Sequence, residues 1–339
     1  MSPFRSVLAL IALVLAACSP AGSSALPSAS ASSAATAGQL RPVTLLLGYR
    51  PDVQFAPFYL AQQAGFYADA GLEVTIEHKQ APDVVRLVAD REAEFGVADA
   101  TDTMIARTSG IPVTAISTLY ARFPVALIGE SGRVPADPAD LAGLRIGTPG
   151  RFGSSWHALL ALLDAGGLSP EDVAIREYPQ FDQVTGLLAG DVDLITGFRN
   201  NEPLRLEAEG MTTELLTIDE VAPLPGPGVF TSDALLADEP DLANAFAAAT
   251  ARGQQAVIDD PEAGFDAAAA EVSAIAEDPE TARAILDATV ELWSGESGFD
   301  GGRIDTGLWA TGYETMQRLG FIDGTVPVEE MYAADVLGG

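Results

Sequence analysis

The chain of 339 residues holds one cysteine, one lysine and two histidines. The single cysteine, Cys18, excludes an internal disulfide and a thiolate metal cluster. His78 and His157 leave little for a metal site or for general-base chemistry, so no metal and no cofactor are expected. Basic charge is also scarce. Acids outnumber bases 48 to 18, for a formal charge of −30, which argues against nucleic acid or an anionic membrane surface as the main partner. All the bases but Lys79 are arginine. Such a surface suits high salt or a GC-rich genome. Long apolar runs are missing too. The unbroken one at 7–15 is shorter than the ~20 residues a membrane span needs. What is plentiful is hydrophobic residue, 48% against 19% charged, which is the balance of a globular chain with room for two domains. The composition leans away from an enzyme.

Residues 1–17 read as an export leader: Arg5, the apolar run, then Leu15, Ala16, Ala17 and Cys18. That ending resembles the bacterial lipobox, in which the cysteine is lipidated and becomes the first residue. Seven serines and seven alanines fall between 19 and 38, so 18–40 reads as a flexible tether. The expectation is an exported protein, lipid-anchored through Cys18 at the outer side of the cytoplasmic membrane, with a body that does not cross it.

From residue 43 strand and helix patterns alternate. Strands are expected at 43–47, 72–76, 94–98, 113–119 and 125–128, and helices at 57–70, 83–89 and 101–109. The pattern restarts with strands at 144–147, 173–177, 192–196 and 213–218 and helices at 154–165, 182–189 and 200–208. The halves echo each other at an offset of 99: Asp83, Val85, Val88 and Phe95 align with Asp182, Val184, Leu187 and Leu194. After a proline-rich turn at 223–228, residues 229–230 return the chain to the first half. Helices are expected at 240–258, 261–272, 279–292 and 305–319, each with proline or aspartate at its start. Two similar α/β lobes with a cleft between them follow.

In α/β sheets ligands sit beyond the carboxyl ends of the strands. The loops there hold Gln54, Phe55 and Tyr59; Asp99 and Thr101; Tyr120 and Phe123; Phe152, Ser154, Ser155 and Trp156; Phe181; and Asn200, Asn201 and Glu202. These are the candidate ligand-binding residues. Aspartate, asparagine or serine at a helix start also serves as a cap, and any one ring also serves as core. The coincidence of rings with amides, hydroxyls and carboxylates suits a planar heteroaromatic ligand. Residues 147–153 lack the lysine of a P-loop and the spacing of a dinucleotide fingerprint. No catalytic residue is assigned. A secreted hydrolase is the alternative of another class, and it lacks a nucleophile–histidine pairing.

The run through Gly48, Tyr49, Pro51, Gln54, Pro57 and Tyr59, with Glu94 to Val97, Gly147 to Gly150 and Asn201 to Pro203, resembles the thiamine-pyrimidine-precursor-binding-like proteins of ABC importers. These share a fold with nitrate-, taurine- and sulfonate-binding proteins. The first loop, Arg122 to Val125, Phe152 to Trp156 and Gly320 to Asp323 look like the riboflavin-binding members. The resemblance spans roughly 43–335. It implies a two-lobed periplasmic-binding-protein-like fold of type II. Lobe 1 would hold 41–128 and 226–339, and lobe 2 would hold 129–225. It implies a solute-binding component, not an enzyme, working as a monomer with a membrane permease. The ligand would be riboflavin, carried and not used as a cofactor. The alternatives are a thiamine pyrimidine precursor or a nitrate- or sulfonate-type anion. Related fungal enzymes use a Cys-rich motif and a reactant lysine. Lys79 lies outside the pocket loops, so that chemistry is not expected here.

Overall fold

The computed structural model describes residues 40–219, 221–295 and 299–337. The leader at 1–17, Cys18 and the tether up to residue 39 lie outside the described residues.

The first half runs β1 (Arg41–Leu47), a 3-10 turn (Val53–Phe55), α1 (Ala56–Gln63), α2 (Phe66–Asp69), β2 (Leu72–His78), α3 (Ala81–Ala89), β3 (Phe95–Ala98), α4 (Ala100–Thr108) and β4 (Val113–Thr118). The second runs β5 (Val125–Glu130), β6 (Arg145–Thr148), α5 (Gly153–Ala165), β7 (Ala174–Glu177), α6 (Gln183–Leu188), β8 (Leu194–Phe198), α7 (Glu202–Ala208) and β9 (Thr213–Thr217). Then come β10 (Gly228–Ser232), α8 (Asp233–Asp238), α9 (Pro240–Asp259), α10 (Pro261–Glu271), α11 (Pro279–Ser294) and α12 (Thr306–Arg318).

The strands form two five-stranded sheets, ordered β2-β1-β3-β10-β4 and β7-β6-β8-β5-β9. Each sheet carries one strand antiparallel to its neighbours, and in each it is the strand that directly follows a crossing between the sheets. The two orders correspond strand for strand, β6 to β9 repeating β1 to β4, as the echo in the sequence predicts. The two-lobed α/β fold is thereby established. One strand differs from its expected place. Residues 125–128 were expected in lobe 1, but β5 pairs antiparallel with β8 and β9 inside the second sheet. Val125 to Gly129 are all buried, as an interior strand requires. The first crossing therefore precedes Val125. It runs beside the return crossing, where the Phe123 amide donates to Leu224 O at 3.1 Å.

Local chemistry explains the elements. β1 is buried at Val43 and from Leu45 to Leu47, the near-continuous apolar run of a central strand. α3 buries Val84, Val85 and Val88 and carries proline in its first turn. The helix expected at 57–70 is broken in two because Gly65 adopts a left-handed φ of 76°, which ends α1 and starts α2. The core of the first lobe stacks Phe95 on Phe246 at 4.0 Å and Tyr67 on Phe246 at 5.3 Å. Each such buried ring contributes about 1.5–3 kcal/mol. The carboxyl-terminal part, expected wholly in lobe 1, also reaches the second. Trp309 and Met316 of α12 share a cluster with Ala158 and Ala161 of α5, and Arg318 pairs with Asp164.

Candidate functional site

A cavity of about 140 Å³ lies between the two sheets, at the carboxyl ends of β1, β3, β6 and β8. That is where parallel strands leave their loops and helix starts. From the first lobe it is lined by Tyr49, Gln54, Phe55, Asp99 and Tyr120. From the second it is lined by Phe152, Gly153, Ser154, Ser155, Phe181, Gln183, Phe198, Asn201 and Glu202. Trp293, at the end of α11, closes one side.

The rings meet edge to face or tilted. Tyr49 and Phe181 face each other from opposite lobes at 4.7 Å and 76°. Tyr120 meets Phe198 at 6.2 Å and Trp293 at 5.7 Å. Phe181 holds a positive φ of 57°, rare for a bulky residue and a local strain that aims its ring at the cleft.

Polar links tie the lobes together around these rings. Asp52 caps the 3-10 turn and accepts from Arg205 at 2.7 Å, while Arg205 also donates to Asn201 at 2.6 Å. Asn201 donates to Gln54, whose amide in turn reaches the Tyr120 hydroxyl at 3.4 Å. The Ser154 amide, in the first turn of α5, donates to Asp99 at 2.7 Å. Burial pushes the Asp99 carboxyl up to about 6. Asp102 behind it is held well above the carboxylate range by burial and by repulsion from Asp99. Glu202 accepts the Phe198 amide at 2.7 Å, and burial raises it as well.

Two deeply buried lining residues each carry a side-chain atom with no partner among the described residues. Gln183 is 1% exposed, and its Nε2 faces Thr196 O and Glu202 Oε1, both acceptors at 3.4 Å. That contact fixes the amide orientation and leaves Oε1 unpaired. Trp293 is 2% exposed, and its Nε1 is unpaired. Buried polar atoms are rarely left so, because each costs about 1–3 kcal/mol. The unpaired Tyr49 hydroxyl adds a third such atom. Together they offer an acceptor and two donors between aromatic walls. No lysine, arginine or histidine lines the cavity among the described residues.

Of the residues singled out in the sequence, Gln54, Phe55, Asp99, Tyr120, Phe152, Ser154, Ser155, Phe181, Asn201 and Glu202 line the cavity. The others do not reach it. Tyr59 is core, with its hydroxyl on His78 Nε2 at 3.0 Å. Thr101 meets His157 Nδ1 at 2.8 Å, a buried pair in which burial lowers the histidine to about 4. Phe123 packs under the crossing segments. Trp156 belongs to the core of the second lobe, with the Arg151 guanidinium 5.1 Å over its ring. Asn200 donates to Thr289 at 2.6 Å. Tyr49, Gln183 and Phe198 also line the cavity, from the same strand-end loops, but are not among the sequence candidates. Trp293 is a further lining residue outside those candidates, and no local pattern signals it because the ring comes from the far end of a helix remote in sequence.

Comparison with known proteins agrees with this architecture. The chain is 33% identical to the riboflavin-binding protein RibY of Chloroflexus aurantiacus, over 97% of this chain and 96% of that one. It is 32% identical to a 4-amino-5-hydroxymethyl-2-methylpyrimidine phosphate synthase of Legionella pneumophila, over 66% of this chain and 72% of that one. The fold matches the periplasmic aliphatic sulphonate binding protein of Escherichia coli with a TM-score of 0.65 at 11% identity, covering 86% of this chain and 91% of that one. It matches the nitrate-binding protein of Synechocystis with a TM-score of 0.64 at 14% identity, covering 88% and 87%. Residues 52–264 match the NMT1/THI5 like family, and this chain belongs to it.

Proposed function

We propose that this chain is the extracytoplasmic solute-binding component of an ABC importer and that its ligand is riboflavin. The observation that carries the ligand is the pairing of Gln183 Oε1 and Trp293 Nε1, buried and unpartnered, with aromatic walls and no lining cation. The pyrimidine edge of a flavin offers an N–H flanked by carbonyls. Gln183 would accept from that N–H, and Trp293 would donate to a carbonyl. The rings of Tyr49, Tyr120, Phe181 and Phe198 suit the flat faces of the tricycle. The polar ends of Gln54, Asn201 and Ser155 suit the hydroxyls of its tail. Likeness to the Chloroflexus riboflavin-binding protein supports the same reading. A nitrate or sulfonate would find two lining carboxylates and no cation.

Binding would proceed by closure of the lobes about the crossings before β5 and before β10, the closed state gaining contacts from both sides. The closed monomer would dock on a membrane permease, with Cys18 as its lipid anchor and 18–40 as the tether. Capture without turnover is the proposed activity. Lys79 pairs with Glu77 at 2.9 Å and does not line the cavity, which removes the amine that a synthase chemistry on this fold would use.

Titrating refolded, ligand-free protein into riboflavin tests the reading. Saturable quenching of the flavin fluorescence that the thiamine pyrimidine precursor cannot reverse is expected. Binding of the pyrimidine alone would assign the chain to pyrimidine carriage, which its likeness to the Legionella synthase favours as the second reading. Appearance of a new product at a catalytic rate would reject the carrier role. Metabolic labelling with a fatty-acid analogue should mark the wild type and not Cys18→Ser.

A further inference from the structure

We propose that Asp99 and Asp102 set the charge selectivity of the cavity, admitting a neutral ligand and turning away its phosphorylated form. The inference rests on the cavity being the ligand site proposed above.

A helix start whose amides are free is a ready site for phosphate or sulfonate, since the N–H groups and the helix dipole both favour an anion. The 13-residue α5 presents such a start to the cavity through Gly153, Ser154 and Ser155. In this chain the start is already taken. The Ser154 amide donates to Asp99 at 2.7 Å, and Asp102 stands beside the same turn. A Cβ built on Gly153 would lie 3.3 Å from Asp99 Oδ2 and 3.8 Å from Asp102 Oδ2, so both carboxyls stand over the same turn. They come from the first lobe, at the start of α4, while α5 belongs to the second. Closing the cleft therefore places the protein's own acids where an anion would sit.

Nearby charge reinforces the exclusion. Glu202 is a second lining acid. Arg151 is turned away onto Glu177 at 3.0 Å and onto the Trp156 ring. Arg205 is held by Asp52 and Asn201. The unpartnered Gln183 Oε1 and Trp293 Nε1 independently mark the same cavity as built for a polar ligand. Their demands are one N–H and one acceptor, which a neutral heterocycle meets. A phosphate, near −2 in charge, would have to displace two carboxyls and then lie beside them.

The test compares riboflavin with riboflavin 5′-phosphate by fluorescence quenching. The wild type should prefer riboflavin by at least tenfold. Asp99→Ala with Asp102→Ala frees the helix amides, and the preference should fall at least tenfold. Asp99→Asn with Asp102→Asn keeps the side-chain size and removes the charge, guards against a folding defect, and should give a smaller fall. Equal wild-type affinities, or a ratio unmoved in both variants, would overturn the proposal. If the wild type binds neither flavin, the riboflavin reading fails by itself. The same ratio is then measured by calorimetry with the thiamine pyrimidine precursor and its phosphate. If none of these binds, inorganic phosphate is the probe. The alanine pair should gain thermal stability from phosphate that the wild type does not, and no gain would reject the inference.

Discussion

Trp293 and Trp156 divide the work that a tryptophan can do. Trp293 is buried, lines the cavity and leaves Nε1 without a partner. Trp293→Phe keeps a ring and removes the donor, so the loss isolates one hydrogen bond. Riboflavin should dissociate about 5–30-fold more readily, equivalent to ~1–2 kcal/mol, with quenching retained. An unchanged dissociation constant would remove Trp293 from the site. Trp156 lies in the second lobe's core, so Trp156→Ala should cost about 3–5 kcal/mol of stability. The milder Trp156→Phe should alter riboflavin affinity less than twofold, as measured by the same titration. The sequence marks the loop of Trp156 correctly and cannot tell which of its side chains faces the ligand. Successive helix residues turn by about 100°, so Ser155 reaches the cavity while Trp156, one step on, enters the core. Asn200 and Asn201 divide in the same way, one to Thr289 and one to the cleft.

Strands and helices were legible because their patterns are local. The apolar run of β1, the proline starts of α9 to α11 and the repeat between the halves all sit within a few residues of the element they specify. Membership of a lobe was less legible. β5 follows the first half without a break in pattern, and only its pairing with β8 and β9 assigns it to the second sheet. The start of α5 shows how a local feature acquires a long-range role. Gly153 takes a left-handed φ of 65° at the point where the carboxyls of the other lobe arrive. Gly153→Ala adds strain of about 1–2 kcal/mol and a methyl group against Asp99. The urea midpoint should fall accordingly, and riboflavin binding should weaken because the inter-lobe contact is displaced. A variant as stable as the wild type would show that the turn relaxes at no cost.

The whole molecule carries a formal charge of −30, and its buried acids add a pH dependence of their own. The Asp99 carboxyl is raised from 3.8 to about 6, and Asp102 and Glu202 are raised too, all chiefly by burial. Between about pH 4 and pH 6 the folded protein therefore holds protons that the unfolded chain has released. Where the folded state binds more protons, stability falls as pH rises. Surface carboxylates such as Asp193, Asp278 and Glu262 work the other way. Hydrogen bonds lower them, so their contribution is present above the usual carboxylate range and is lost as pH falls through it. Stability should peak near pH 4 and decline as pH rises through about 6. Net-charge repulsion also favours mild acid, but salt screens exposed charges within about 10 Å at 0.1 M and screens buried ones far less. Melting temperatures taken at pH 5 and pH 8, at low and high salt, separate the two causes. In 1 M salt the wild type should keep a fall from pH 5 to pH 8, and Asp99→Asn with Asp102→Asn should lose most of it. A fall that salt abolishes in the wild type would assign the whole effect to the acidic surface and none to the carboxyls at the start of α5.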